Sequence, residues 1–227
     1  PFSLPNLNDV RDQAASFEAL AAWALNRFNL TGGSQPEQVQ SAIVSANFFS
    51  VLGVKPRIGR EFLPAENDPG RARVAILNYG IWQRRFGGDP AIVGKSVTLD
   101  QQPHEVIGVM PATFKFATFP KETEVWVPMG QDPFRDRKYA RAVNSLGVVA
   151  RLKPGIMLSQ ARVELDTVGQ RLEIQFPGDN KGWTITVEAL SAQVVRNFRR
   201  GLLVLCGAVG FVLLIACANV ANLLLAR

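Results

Sequence analysis

This 227-residue sequence is short of histidine, short of cysteine, and has no charge at all in one long stretch. His104 is its single histidine, so a cluster of histidine metal ligands and the H-E-x-x-H zinc motif cannot form within the chain. Both cysteines, Cys206 and Cys217, lie in one apolar run. On a single helix they stand too far apart to bridge each other. Residues 1–200 carry no thiol, and cysteine usage is therefore silent on the redox compartment. Asp, Glu, Lys, Arg and His are all absent from Gly201 to Ala226. As a helix that run rises roughly 39 Å against a bilayer core of about 30 Å. It predicts one transmembrane helix over 201–226 and excludes a wholly soluble protein.

What is present is ordinary for a folded domain. Hydrophobic residues make up 47% and charged residues 19%, which excludes a disordered chain, and 19 glycines with 14 prolines are too few for a fibrous one. Residues 1–200 hold 24 of the 25 basic residues and all 19 acids, net +5, and are long enough for a real core. The chain opens on Pro1 rather than Met, without a signal-like n-region or h-region, and stops at Arg227. Both ends are expected to be cuts in a longer protein.

The constellations that could carry catalysis fail one by one, and the reading assigns no catalytic, cofactor-binding or metal-ligating residue. The segment from Gly88 to Ser96 ends in Gly94-Lys95-Ser96, as a phosphate-binding loop does, but Asp89 stands where the first glycine belongs and a strand pattern follows instead of a helix. It is expected to be a surface turn. No G-x-S-x-G elbow exists. Glu164 and Asp166 are two apart on a predicted helix, on different faces, and are expected to be solvated. His104 flanks an apolar strand and is expected to be a hydrogen-bonded structural residue. The basic clusters are Arg135, Arg137, Lys138, Arg141 and Arg196, Arg199, Arg200; the first has Phe134 and Tyr139 beside it, as a nucleic-acid groove wants, but +5 over 200 residues is modest, so no nucleic acid is expected as a partner. The second cluster precedes the apolar run, where arginines meet lipid headgroups.

Periodicity organises the rest. Leu4, Leu7, Val10, Ala14, Phe17, Ala21 and Ala24 recur at helical steps behind a Ser3 cap and Pro5, predicting a helix through Ala24. Val39–Val44 reads as a strand, with Ser45 capping a short helix that Gly53 ends. Val74–Leu77 reads as a strand, Tyr79–Phe86 as a helix, and Ser96–Leu99 with His104–Val109 as a hairpin across Gln101-Gln102. Val125–Val127 is another short strand. Strand Leu146–Leu152, a helix capped by Ser159 and strand Trp183–Leu190 predict a β-α-β unit. In the apolar run, Gly207, Gly210, Cys217 and Ala221 form a thin face for close helix packing, and Asn219 and Asn222 share a face that wants polar partners. These features suit a packed bundle better than a simple anchor.

The run LLIACANVANLLLAR (Leu213–Arg227) resembles the second transmembrane helix of MacB-like ABC transporter permeases in the FtsX-like superfamily, with the duplicated orphan permeases of acidobacteria nearest. Four further stretches fit the same family. They are VSANFFSVLGVKPRIGREF (Val44–Phe62), VAILNYGIWQRRFGGDPAIVGKSVTL (Val74–Leu99), VIGVMP (Val106–Pro111) with VWVP (Val125–Pro128), and VVARLKPG (Val148–Gly155). Asp100-Gln101-Gln102 departs from the Asn-Gly usual at the hairpin.

The resemblance implies an α+β, two-lobed extracytoplasmic domain followed by one transmembrane helix. Residues 1–200 are then a MacB-like periplasmic core domain. Its porter lobe of β-α-β units spans 1–70 and 142–200, and a sabre-like mixed α/β insertion spans 71–141; 201–226 begins the permease domain. It also implies no enzymatic activity of its own. The expected partners are a separate ABC-type ATPase subunit, a second permease half or dimer mate, a periplasmic adaptor and the membrane. The resemblance further implies that mechanical transmission through the domain drives export or envelope remodelling. A membrane-anchored periplasmic binding or enzyme-regulating module without transport is the alternative. Charge counting around the apolar run, three Arg before and one after, places residues 1–200 in the cytoplasm, whereas the family places them in the periplasm of a bacterial inner-membrane protein. Large domains translocate largely regardless of charge, so the family reading is preferred.

Overall fold

The computed structural model describes residues 1–32, 35–71, 73–116, 122–131, 141–192, 204, 206–215 and 222. They divide into two units, Pro1–Val187 and Glu188–Arg227.

In the first unit, α1 (Leu4–Gln13) starts as its sequence dictates. Ser3 Oγ accepts the Asn6 N–H at 3.3 Å, Pro5 sits in the first turn, and Leu7 and Val10 are buried. It stops at Gln13, eleven residues before Ala24. Phe17–Thr31 is instead the long strand β1, although its Ala and Leu content favours a helix. The reason is tertiary. β1 is paired antiparallel to β2 (Glu37–Val44) along one edge, and to β8 (Gly147–Leu152) and β5 (Ser96–Leu99) along the other. A ladder on both edges outweighs a propensity difference of a few tenths of a kcal/mol per residue.

The remaining strands are β3 (Ile58–Gly59), β4 (Val74–Leu77), β6 (Gln102–Val109) and β7 (Val125–Pro128). Their pairings run β1–β2–β7–β4–β6–β5 and return to β1, a closed ring of six strands, with β8 added to β1 and β3 to β6. Both faces of this ring are covered. Ile43, Ala75, Leu77, Val125 and Val127 point into the main core with α1, while their neighbours Ala42, Val44, Val74, Ile76 and Trp126 point into a second core. Hence β4 and β7 read as unbroken apolar runs, the signature of strands buried on two sides.

The second core is aromatic. It gathers Phe48 and Phe49 of α2 (Phe48–Leu52) with Phe62, Phe116 and Trp126; Phe48 meets Phe116 and Phe49 meets Trp126 edge-on. Asn47, not Ser45, is the N-cap residue of α2. Ser45 Oγ instead accepts the Ala22 N–H at 2.7 Å, extending the β1 ladder where β2 has ended.

Elsewhere the local signals hold, with small shifts. Asn78 Oδ1 caps α3 (Tyr79–Phe86) by accepting the Ile81 N–H at 2.7 Å, and Gly87 ends it at φ 62°. The β5–β6 turn is made by Asp100 and Gln101, at φ 45° and 64°, one residue earlier than expected. That left-handed pair is the type I′ geometry for which Asn-Gly is usual. Here Asp100 Oδ1 helps hold it by accepting from both nitrogens of Asn29. Helix α4 (Leu158–Gln175) buries Ala161, Leu165, Val168 and Leu172 against the main core. Its cap is Met157, whose N–H is taken by Gln160 Oε1 at 2.8 Å, while Ser159 lies exposed inside the first turn. A short α5 (Pro177–Asn180) follows. The expected closing strand Trp183–Leu190 does not form. Residues 183–189 have no strand partner among the described residues, although Trp183, Ile185 and Val187 still face the core as an alternating pattern demands.

In the second unit, residues 190–192, Val204, 206–215 and Asn222 are helical.

Candidate functional site

The would-be phosphate loop is a closed turn. Asp89 Oδ1 accepts the Ala91 N–H at 2.8 Å, and Asp89 Oδ2 meets Lys95 Nζ at 3.1 Å. The backbone bond first, then Lys95, holds the Asp89 carboxyl below the usual carboxylate value. The one lysine that a phosphate would recruit is therefore already paired, and β5 follows it as a strand. His104 is buried, with Nδ1 at 2.9 Å from the Gln102 carbonyl and Nε2 at 2.6 Å from Gln131 Oε1, the structural setting expected of it. Among the described residues no group of three or more His, Cys, Asp or Glu is placed to hold a metal ion.

Glu164 corrects its expectation. Its carboxylate is not merely solvated but accepts the Ala15 N–H at 2.7 Å and the Ser16 N–H at 2.9 Å, closing the α1–β1 turn onto α4. Burial pushes this carboxyl up, but the bonds from Ser16 and Ala15 and the charge of Lys153 outweigh it and hold the pKa below the ordinary glutamate value. Asp166, two residues on, is exposed.

Of the first basic cluster, Arg135, Arg137 and Lys138 lie outside the described residues. Arg141 is engaged. Its Nη1 donates to Asp9 Oδ2 and Asn6 Oδ1, both at 2.6 Å, and its guanidinium lies 3.7 Å from the Phe176 ring centre. Asn6 and Asn180, both fully buried, exchange amide hydrogen bonds, and Asn180 also donates to the Leu172 carbonyl at 3.2 Å. This knot joins α1 to the α4–α5 junction. Beside it Trp183 packs edge-on to Phe2 at 5.4 Å, and its Nε1 donates to the Pro1 carbonyl at 3.2 Å. The first residues of the chain and the segment that leads out of the domain are thereby held together at one place.

The second unit presents apolar side chains without cover. Val204, Val209, Phe211, Val212, Leu213, Leu214 and Ile215 are all exposed, Phe211 by 71%. A Cβ added at Gly207 or Gly210 meets nothing within 4 Å, so these two positions are open. Asn222 is helical and exposed. Cys217, Asn219, Ala221, Arg196, Arg199 and Arg200 lie outside the described residues. Among the described residues no helix is long and apolar enough to cross a membrane.

The model of the family described as MacB-like periplasmic core domain matches residues 1–168. The chain belongs to this family. As a MacB-like periplasmic core domain it is 34% identical over 85 residues to the macrolide export ATP-binding/permease protein MacB of Burkholderia thailandensis, a match spanning 37% of this chain and only 13% of that protein. The fold of the domain is shared with solved structures at lower identity. The extracellular domain of the noncanonic ABC-type transporter YknZ from Gram-positive bacteria aligns with TM-score 0.58 and 18% identity, covering 78% of this chain and 84% of that one. The periplasmic region of MacB from Actinobacillus actinomycetemcomitans aligns with TM-score 0.58 and 13% identity, covering 79% and 77%. A domain of a putative permease protein from Porphyromonas gingivalis aligns with TM-score 0.55 and 13% identity, covering 76% and 73%.

Sequence reasoning missed the knot that organises this domain's base. Asn6 and Asn180 are 174 positions apart, Asn180 within the polar stretch from Pro177 to Gly182, and no spacing rule links them.

Proposed function

We propose that this chain is part of an ABC transporter permease subunit whose periplasmic domain couples a partner ATPase to export or envelope remodelling. The observation that carries the proposal is the exposed apolar helix 206–215, placed in sequence after a MacB-like periplasmic core domain. An uncharged run from Gly201 to Ala226 is long enough to span a bilayer, and its uncovered side chains call for lipid or neighbouring helices. On this reading 201–226 is the transmembrane helix that begins the FtsX-like permease domain. Residues 1–200 lie in the periplasm of an inner-membrane protein. A proposed porter lobe (1–70 with 142–200) and a proposed insertion (71–141) are stitched together by strand pairing, β1 to β5 and β2 to β7, so that they move as one body.

The helical turn at 190–192 begins a stalk that continues into the bilayer. Arg196, Arg199 and Arg200 sit at the headgroups, and Gly207, Gly210, Cys217, Asn219, Ala221 and Asn222 pack against neighbouring helices. A stiff stalk carries displacement between membrane and domain. The domain supplies no catalysis and takes no cofactor; the separate ATPase supplies the chemistry, and a second permease half and a periplasmic adaptor complete the assembly.

Two reporters inserted between Asp132 and Arg141 of the full-length protein test the topology. Alkaline phosphatase is expected to be active there and a cytoplasm-only fluorescent protein silent; the reverse pattern overturns the transport reading. Two or three glycines inserted after Arg200 are expected to leave insertion intact and uncouple transport from ATP turnover. Unchanged transport would make the stalk a tether, as in an anchored module without transport.

A further inference from the structure

The segment after α5 is attached to its domain unlike any strand. Along residues 183–187, Trp183, Ile185 and Val187 turn to the main core while Thr184 and Thr186 are exposed, yet no described strand pairs with them. Its attachments to the described residues are few. The Trp183 N–H donates to the Asn180 carbonyl at 2.9 Å, and its indole sits on Pro1 and Phe2. Ile185 is buried beside Gly169, where a Cβ would lie 3.8 Å from its side chain. Arg162 Nη2 donates to the Val187 carbonyl at 3.2 Å. Just upstream, Asn180 is locked to Asn6, so anything that frees the segment stops there.

We propose that residues 183–187 are a side-chain latch. Bound, the latch ties the chain that leads to residue 188 to the Pro1–Phe2 end of the domain. Released, it lifts from α4 while the strand ring, α1 and α4 stay folded. A laddered strand opens only with its neighbours, because each backbone bond it loses is also lost by the partner strand. A segment held by alternate side chains opens alone, and its two outward threonines leave it soluble when free. Its role rests on the permease reading: the latch decides whether movement of residues 188 onward reaches the domain.

Thiol labelling of the full-length protein tests it, after Cys206 and Cys217 are replaced by Ala. Ile185→Cys and Leu172→Cys place one buried thiol on the latch and one in α4. Ile185→Cys is expected to label at least about 100-fold faster, since sub-global opening exposes one and only wider unfolding exposes the other. Trp183→Ala is expected to speed labelling at 185 about tenfold without changing position 172, and Trp183→Phe, which keeps a ring on Phe2, is expected to fall between. Equal slow labelling at both positions overturns the latch, as does a Trp183→Ala effect that reaches position 172. Leu165→Cys replaces Leu172→Cys if that variant does not fold. None of these readouts involves transport, so a failed latch and a failed permease reading are told apart.

Discussion

Asn6 and Asn180 form a reciprocal amide pair: Asn6 Nδ2 donates to Asn180 Oδ1 at 2.8 Å and Asn180 Nδ2 returns to Asn6 Oδ1 at 3.2 Å. Both residues are fully buried, and the pair ties the first helix to the end of α4 at the point where the chain leaves the domain.

Breaking that pair strands a buried amide. Asn180→Ala is expected to destabilise the domain by about 2 kcal/mol, within the range for a buried polar group left without its partner. Urea unfolding of the wild type and variant measures it. A loss below a few tenths of a kcal/mol shows that the pair does not hold the helix ends together.

Glu164 makes stability depend on pH. Its pKa is depressed in the folded state, so its contribution is fully present above the unfolded value, near 4.5, and is lost as pH falls through the lower folded value. Glu164→Gln is expected to remove that part of the acid slope below about pH 4.5. Its stability should differ most from wild type at neutral pH and converge with it in acid. Thermal melts across the range check this, and parallel curves exclude the role.

Gly147 is a packing requirement of the β1–β8 pair, because a Cβ there falls on the Trp23 ring. Gly147→Ala is expected to cost about 1–3 kcal/mol by overpacking. Adding Trp23→Leu should recover part of the loss, since it removes the obstructing ring. If the double variant is the sum of the two single losses, the ring is not the obstacle.

The membrane reading gives the fourth expectation. Leu213→Asp places a carboxylate in the middle of the uncharged run, at a cost of about 2.5–3.5 kcal/mol at a helix centre in a bilayer. The fraction of segment 201–226 that inserts in a membrane-insertion reporter is expected to drop sharply. Equal insertion of both forms counts against a spanning helix.

Local signals announced part of what local physics decides. The Ser3 cap, the Gly53 stop, the apolar strands β4 and β7 and the helical spacing along α4 follow from nearest neighbours in sequence, whereas the caps expected at Ser45 and Ser159 fall on Asn47 and Met157. The uncharged run and the ordered family stretches are also properties of the chain itself. So the family and the place of its apolar segment could be read before any fold was known.

Tertiary structure decided the rest, because the deciding partners are remote. Residues 17–24 carry a helical apolar period, and only ladders to β2 and β8 make them a strand. Residues 183–187 carry a strand period, and with no strand beside them among the described residues they are held mainly by side chains. Glu164 looked solvated until the α1–β1 turn brought two N–H groups to it from 148 and 149 positions away. Periodicity records which side of a segment is apolar, whereas strand pairing and buried polar contacts depend on what the folded chain sets next to it.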